Sequence, residues 1–582
     1  MPPVTIQRRF TCTSTPEDLW GAAGDTDRLN RISGMMPVTL TPNDDDSAAR
    51  FRGETRLDGF AVEYLEEPAR WEYPRWYTIR REIQSGPLRS VEMTTSLSPV
   101  PGGTEVTIAL IMEPISAVLE PISRFMGARR LEGLERAVRA LERQDAAGDS
   151  ARAPIGRTLA EQLSSWLAST TSAELGRIRP FALADRWGVD RRALLRRCLE
   201  AVGEGSLSMR WELVCPSCRV GAEAVDTLSA LGESGHCQLC DLDFELSLDR
   251  SVEAVFSAGA GGMERYCPSG PALTPHVLRQ AILPPGGEIA ITAPSEPGRY
   301  RLFIRGGVSA SVVVSARGVP AAAVRAVAGG VATPAPLMPG GALTVTSGFD
   351  DTRHLKLEET AWRDAAATAW HVSLEPAFRR TFSADVLAAG TRLAVSRVAL
   401  MFTDLTHSTT LYDRLGDAAA YRLVRAHFEL LEGIIEARGG AVVKTIGDAV
   451  MAAFPDGEAA LAAAVDCQRG WPGFLEGLGH RPRETRLRIG VHAGPCYAVE
   501  ANGVLDYFGQ TVNTAARVEA SASGGEIAIT EETIAGLGGF DAHTLPEGLA
   551  VADRQEVMLK GLRARTRLVW LTLEETAARL SA

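Results

Sequence analysis

Two stretches near the C-terminus constrain the fold more than any others. RVALMFTDLTHST, beginning at Arg397, is an apolar run that ends in an acid, Asp404, followed by small polar residues. A short apolar run of this kind reads as a buried strand. AVVKTIGDAVMAAF, beginning at Ala441, is two apolar strands around Gly447-Asp448, a hairpin turn signal. Between them Tyr421, Val424, Phe428, Leu431 and Ile435 recur at helical spacing, and Gly439-Gly440 ends that helix. If the hairpin pairs with the first strand, Asp404 and Asp448 converge. Two convergent carboxylates beside a helix start suit divalent metal and polyphosphate. The N–H groups of Thr406, Ser408 and Thr409 stand where that helix would begin, and free N–H groups with the helix dipole bind phosphate. Singly, each aspartate is more often a cap or turn residue; together they favour the metal reading.

FTDLTHST, VVKTIGDAVMAAF, LRIGVHAGPC and LDYFGQTVNTAARVEA follow in this order. The segment resembles the catalytic domain of class III nucleotidyl cyclases, over residues 392–575. The resemblance implies a ferredoxin-like α/β domain that converts a nucleoside triphosphate to cyclic nucleotide and pyrophosphate. It assigns Asp404 and Asp448 to two Mg2+ or Mn2+ ions per active site. It assigns Lys444 and Asp506 to the purine, Asn513 to the ribose, Arg517 to the charge on phosphorus, and Lys560 to the terminal phosphates. A lysine donor and an aspartate acceptor suit adenine, whereas guanylyl cyclases typically carry Glu and Cys there. The implied activity is therefore that of an adenylate cyclase using ATP, with guanylate cyclase as the alternative. In this family the metal aspartates come from one protomer and the base-reading pair, Asn and Arg from the other, which implies a homodimer. Two departures stand out: Ala449 where many relatives have Gly, and His407 in a loop position often held by Gly.

Upstream, Cys215, Cys218, Cys237 and Cys240 form C-x2-C-x18-C-x2-C. That spacing fits a zinc ribbon over residues 211–245, two knuckles completing a closed S4 site for one structural Zn2+. A redox dithiol pair or unrelated thiols are the alternatives, and His236 beside Cys237 could substitute as a ligand. Residues 155–210 are helical and helix–turn–helix-like, with Gly188 at the turn and Asp190 as N-cap. Arg191, Arg192, Arg196 and Arg197 on the second helix read as a solvated inter-domain face in preference to a DNA contact, because the flanks are not basic. Residues 246–380 alternate as β-rich, sandwich-like text plus a connector. AAAVRAVAGGVATPAPLMPGG reads there as a loose connection and HLKLEETAWRDAAATAWHVSLEPAFRRTFS as the way to the last domain.

Residues 1–148 give one strand, a helical insert, a run of strands and a long C-terminal helix. This order resembles the START-like helix-grip fold, which implies a cavity for a lipophilic ligand; a packed domain without one reads equally well. The whole is a multidomain α+β chain of 582 residues, with a net charge of −11 that argues against coating nucleic acid. No apolar run approaches a membrane span and the N-terminus lacks a signal-peptide core, so no membrane insertion and a cytoplasmic location are expected. From another class, a DNA-binding regulator with an inactive cyclase-like domain is the rival.

Overall fold

A computed structural model describes residues 2–43, 51–57, 60–150, 158–169, 175–216, 221–237, 242–258, 267, 270–274, 276–359, 366–382, 384–407, 413, 416–480, 485–537, 548–561 and 565–574. Near the N-terminus the strands Val4–Cys12, Gly103–Pro114, Leu88–Val100, Trp76–Ser85, Phe60–Glu66, Phe51–Leu57 and Thr39–Pro42 are neighbours in that order, all antiparallel. Val106, Ile108, Leu110 and Met112 alternate inward along one strand, as a pleat with one buried face requires. Val106, Ile108 and Leu110 share a core with Leu131, Leu134, Val138 and Leu141 of the helix Glu120–Ser150, so sheet and helix are packed together. The short helix Thr26–Ile32, with Asp25 as its cap, was not legible in the sequence.

The sheet does not stop there. Glu72 and Trp71 pair with Arg279 and Gln280, so the N-terminal sheet runs on into the β-rich region. In that region the strands Val277–Leu283, Arg353–Glu359, Gly298–Ile304, Val308–Val327, Leu337–Ser347 and Glu288–Thr292 follow one another across the sheet. Leu283, Leu355, Leu302, Val312, Leu343 and Ile291, one from each strand, share a single core, so the sheet curls around itself. Three expectations are corrected. The Ala/Gly/Pro-rich stretch is not a loose connection, because the strand Val308–Val327 runs into it and pairs in parallel with Leu337–Ser347. The start of the expected connector, HLKLEE, is a strand between two others. Val252–Ser257 pairs with Ser208–Val214, outside the curled sheet.

The helices Pro180–Trp187 and Arg191–Gly203 form around a left-handed Gly188 (φ 65°) and an Asp190 cap that accepts from the Ala193 N–H at 2.7 Å. The arginines are taken up by acids of this chain. Arg191 pairs with Asp185, Arg192 and Arg196 with Glu375, and Arg197 with Glu200 and Glu204. Cys215 directly follows the strand Ser208–Val214 of one hairpin, and Cys237 ends the strand Ser234–Cys237 of a second; both are buried. Cys218 and Cys240 lie outside the described residues. Among the described residues no group of three or more metal-binding side chains is assembled.

The C-terminal domain is β-α-β-β-α-β: Arg392–Thr406, Asp417–Ala437, Ala441–Ile446, Ala449–Phe454, Gly457–Gly477 and Arg486–Ala501. The four strands lie in the spatial order fourth, first, third, second, which is the ferredoxin-like arrangement. Alternation along the first strand splits its residues. Ala399 and Met401 face a core with the helix residues Leu431 and Leu461. Leu400 and Phe402 face a core shared with the middle region, including Trp211 and Phe378. Among the described residues no helix is long and apolar enough to cross a membrane.

Candidate active site

Register brings the two aspartates together. Ala399 pairs with Phe454 and the ladder runs to Thr403 opposite Val450. One step further places Asp404 opposite Ala449, the chain neighbour of Asp448. Gly447 adopts φ 65°, the left-handed conformation that lets the hairpin turn tightly enough to present Asp448 at its tip. Asp448 Oδ2 is buried with no hydrogen-bond partner among the described residues. An unsatisfied buried carboxylate oxygen is costly, and a cation beside it removes the cost.

Asp404 lies opposite Arg488 on the adjacent strand, and the Arg488 guanidinium holds its carboxylate, Nε to Oδ2 at 3.0 Å. The same Nε lies 2.7 Å from Glu519 Oε1. Burial, together with the charges of Asp404 and Asp448, pushes the Glu519 carboxyl up to about 7, against the pull of Arg488. Arg488 and Glu519 were not singled out from the sequence, although both lie within the motifs LRIGVHAGPC and TVNTAARVEA. Gly490 seats the helix Gln510–Ala520 on its strand: a Cβ there would stand 2.1 Å from the Glu519 backbone nitrogen. That helix carries Asn513 and Arg517, both exposed.

Lys444 Nζ donates to Asp506 Oδ2 at 2.5 Å, with Asp506 7% exposed. Asp506 sits on the strand Val504–Phe508, whose Leu505 and Tyr507 point into the core shared with the middle region. Tyr507 packs edge-on against Trp370, centroids 5.6 Å apart. The middle region therefore braces the strand from the side opposite Asp506.

The phosphate loop differs from expectation at its start. Thr406 is the last residue of its strand, and its hydroxyl donates to the Arg486 carbonyl at 3.0 Å, so it does not open a helix. Ser408 and Thr409 lie outside the described residues. His407 adopts φ 61°, the conformation glycine favours and histidine tolerates better than most side chains. Lys560 is exposed beyond the strand Leu549–Val557. Tyr421, expected on the apolar face of its helix, is 64% exposed, and the buried His427 takes part of that face instead.

Residues 392–573 match the family model of the adenylate and guanylate cyclase catalytic domain. Residues 145–261 match a family of unknown function (DUF5939), a range that encloses the two helices, both hairpins and Val252–Ser257. An adenylate cyclase of Podospora anserina is 34% identical over 157 residues, 24% of this chain and 7% of that protein. An adenylate cyclase of Schizosaccharomyces pombe is 29% identical over 178 residues, 28% of this chain and 10% of that protein. An uncharacterized protein of Mycobacterium tuberculosis is 36% identical over 126 residues, 22% of this chain and 30% of that protein. The chain thus spans a tenth or less of those two fungal cyclases. Among solved structures, the catalytic core of a rhodopsin-guanylyl cyclase with converted specificity, in complex with ATPalphaS, is 26% identical, with 31% of this chain and 98% of that chain covered and a TM-score of 0.27. By the family model and the fungal cyclases it resembles, the C-terminal third of the chain carries an adenylate/guanylate cyclase catalytic domain.

Proposed function

We propose that the chain is an adenylate cyclase, converting ATP to 3′,5′-cyclic AMP and pyrophosphate at a homodimer interface, with its N-terminal modules regulating that activity. The observation that carries this reading is the meeting of Asp404 with the orphaned Asp448 carboxylate, in a domain that also joins Lys444 to Asp506. The donor set fits divalent metal: Asp404 and Asp448 would hold two Mg2+ or Mn2+ ions, which supply Lewis acidity and neutralise the triphosphate. Lys444 donates to the purine N1 and Asp506 accepts from the N6 amino group. Asn513 orients the ribose. Arg517 offsets charge on the phosphorus as it becomes five-coordinate, and Lys560, with Ser408 and Thr409, holds the terminal phosphates. The purified chain, given ATP or GTP with Mg2+ or Mn2+ and its products separated by chromatography, should yield cyclic AMP from ATP in preference to cyclic GMP. A GTP preference overturns the base assignment. No turnover of either nucleotide overturns the enzyme reading and leaves a regulatory domain.

The C-x2-C-x18-C-x2-C spacing supports one structural Zn2+ held by Cys215, Cys218, Cys237 and Cys240. Metal analysis of protein purified without chelator should find about one zinc per chain; none removes the ribbon.

A further inference from the structure

The N-terminal sheet and the helix Glu120–Ser150 enclose a cavity of about 600 Å³, within the range of small-molecule sites. Its walls are apolar, with Ile79, Met93, Leu110, Met112 and Met126 among them. Among the described residues its charged lining is of one sign: Arg56, Arg81, Arg129, Arg130 and Arg136, with no Asp or Glu, in a chain whose net charge is −11.

Two of these arginines lie deep and differ. Arg81 is neutralised by Glu66 at 2.7 Å, and its guanidinium stacks over the Tyr64 ring at 4.9 Å. Arg130 donates to the Ser33 hydroxyl and the Asn30 side-chain oxygen, both neutral. Among the described residues no carboxylate pairs with it. Burial and the neighbouring Arg81 charge push its guanidinium down to about 10. A desolvated cation without an anion is unfavourable, and the walls around this one leave room for a ligand to supply that anion. The way in is apolar. Met36 and Ile122 line the cavity yet are 54% and 53% exposed, and Phe125, on the same helix as Ile122, is 64% exposed.

We propose that this cavity binds an anionic amphiphile, an apolar body carrying one carboxylate or phosphate, with the anion seated on Arg130. The apolar walls take the body by burial, and the Arg130 guanidinium selects the head group. Cys267 ties the site to the β-rich region: it lines the cavity, its N–H donates to Asp27 at 3.1 Å, and its sulfur lies 3.6 Å from Arg81 Nη2.

The proposal rests on the reading of the N-terminal domain as a ligand-holding module, and the test separates the two. The full chain is titrated calorimetrically with dodecanoate, dodecyl phosphate, dodecanol and dodecylammonium below their micellar concentrations. At least one anion should bind tenfold or more tighter than dodecanol, with dodecylammonium weakest; the better of the two anions identifies the head group. Removing one methylene should weaken binding about fourfold while the chain stays buried. Arg130→Gln should lose at least tenfold for the anion and leave dodecanol unchanged, and Arg130→Lys should recover part of the loss. Dodecanol binding as tightly as the anions, or anion binding indifferent to Arg130→Gln, overturns the anion site but leaves a lipophilic sensor standing. No binding of any of the four overturns both. Should Arg130→Gln fail to fold, the wild-type ratio of anion to alcohol decides alone.

Discussion

Lys444 and Asp506, 62 residues apart in sequence, are joined Nζ to Oδ2 at 2.5 Å within one chain. Each satisfies the other. In the proposed cyclase, adenine would offer N1 as acceptor to the ammonium and its N6 amino group as donor to the carboxylate, whereas guanine presents the reverse at those two positions, an N1–H donor and an O6 acceptor.

Inverting that pair should invert the preference. Lys444→Glu with Asp506→Cys is expected to weaken ATP use and raise relative GTP use, by one to two orders of magnitude in the ratio of kcat/KM, because mismatched buried groups are left unpaired. An unchanged ratio, measured by competing the two nucleotides, would separate base choice from this pair.

Removing either carboxylate at the metal position should cost more than substrate affinity. Asp404→Ala and Asp448→Ala are each expected to lower kcat by about a hundredfold or more, since the lost ligand leaves several kcal/mol of triphosphate charge uncompensated. The fold should survive in Asp404→Ala because Arg488 keeps Glu519 as a partner. Circular dichroism checks the fold. Activity within a few-fold of wild type in either variant counts against the two-aspartate centre.

Acid lability should come from buried histidines. His371 caps its own helix, Nδ1 2.8 Å from the Thr368 hydroxyl, with its ring edge-on to Phe181. Burial pushes its imidazole down to about 4. The unfolded chain takes up that proton near pH 6.5 and the folded chain only near 4, so stability is full above pH 6.5 and falls as pH drops toward 4. The integrated loss is up to roughly 3 kcal/mol for this one group. His427 and His492 are lowered in the same direction by burial. His371→Gln should flatten the slope of unfolding free energy between pH 6.5 and 4. An unaltered slope would place the acid lability elsewhere.

The convergence of Asp404 and Asp448 was legible because it follows from register. A period-two strand ending in Asp404 and a hairpin tipped by Asp448 have few ways to pair that keep Met401 and Ala452 in one core. Arg488 was not legible, since an arginine in a strand looks like a solvent-facing residue until its cross-strand neighbour is known. The same limit hid the role of Thr406, whose hydroxyl is spent on a backbone carbonyl. The second half of the strand Val308–Val327, from Ala321 on, was misread because alanine and glycine carry little strand preference; its pairing with Leu337–Ser347 supplies what its own residues lack.

On the strand Val504–Phe508 the side chains alternate. Leu505 and Tyr507 are held by the middle region, while Phe508, 67% exposed, lies on the other side beside its cross-strand partner Tyr497, 42% exposed. Asn513 and Arg517 are exposed on the adjacent helix. An apolar strip next to two uncovered polar residues suits a second copy of this chain, and a two-fold interface would repeat the site twice. Asp404→Ala alone should silence both sites of a dimer, and Arg517→Ala alone should cripple both. In a mixed dimer one site collects both lesions and the other neither. With free subunit exchange half the dimers in an equal mixture are mixed, each with one intact site, so activity should return to about a quarter of wild type. Phe508→Asp in either partner should abolish that recovery by placing a charge in the strip. Exchange demonstrated by mass-tagged subunits, with no activity regained, would mean that each chain completes its site alone.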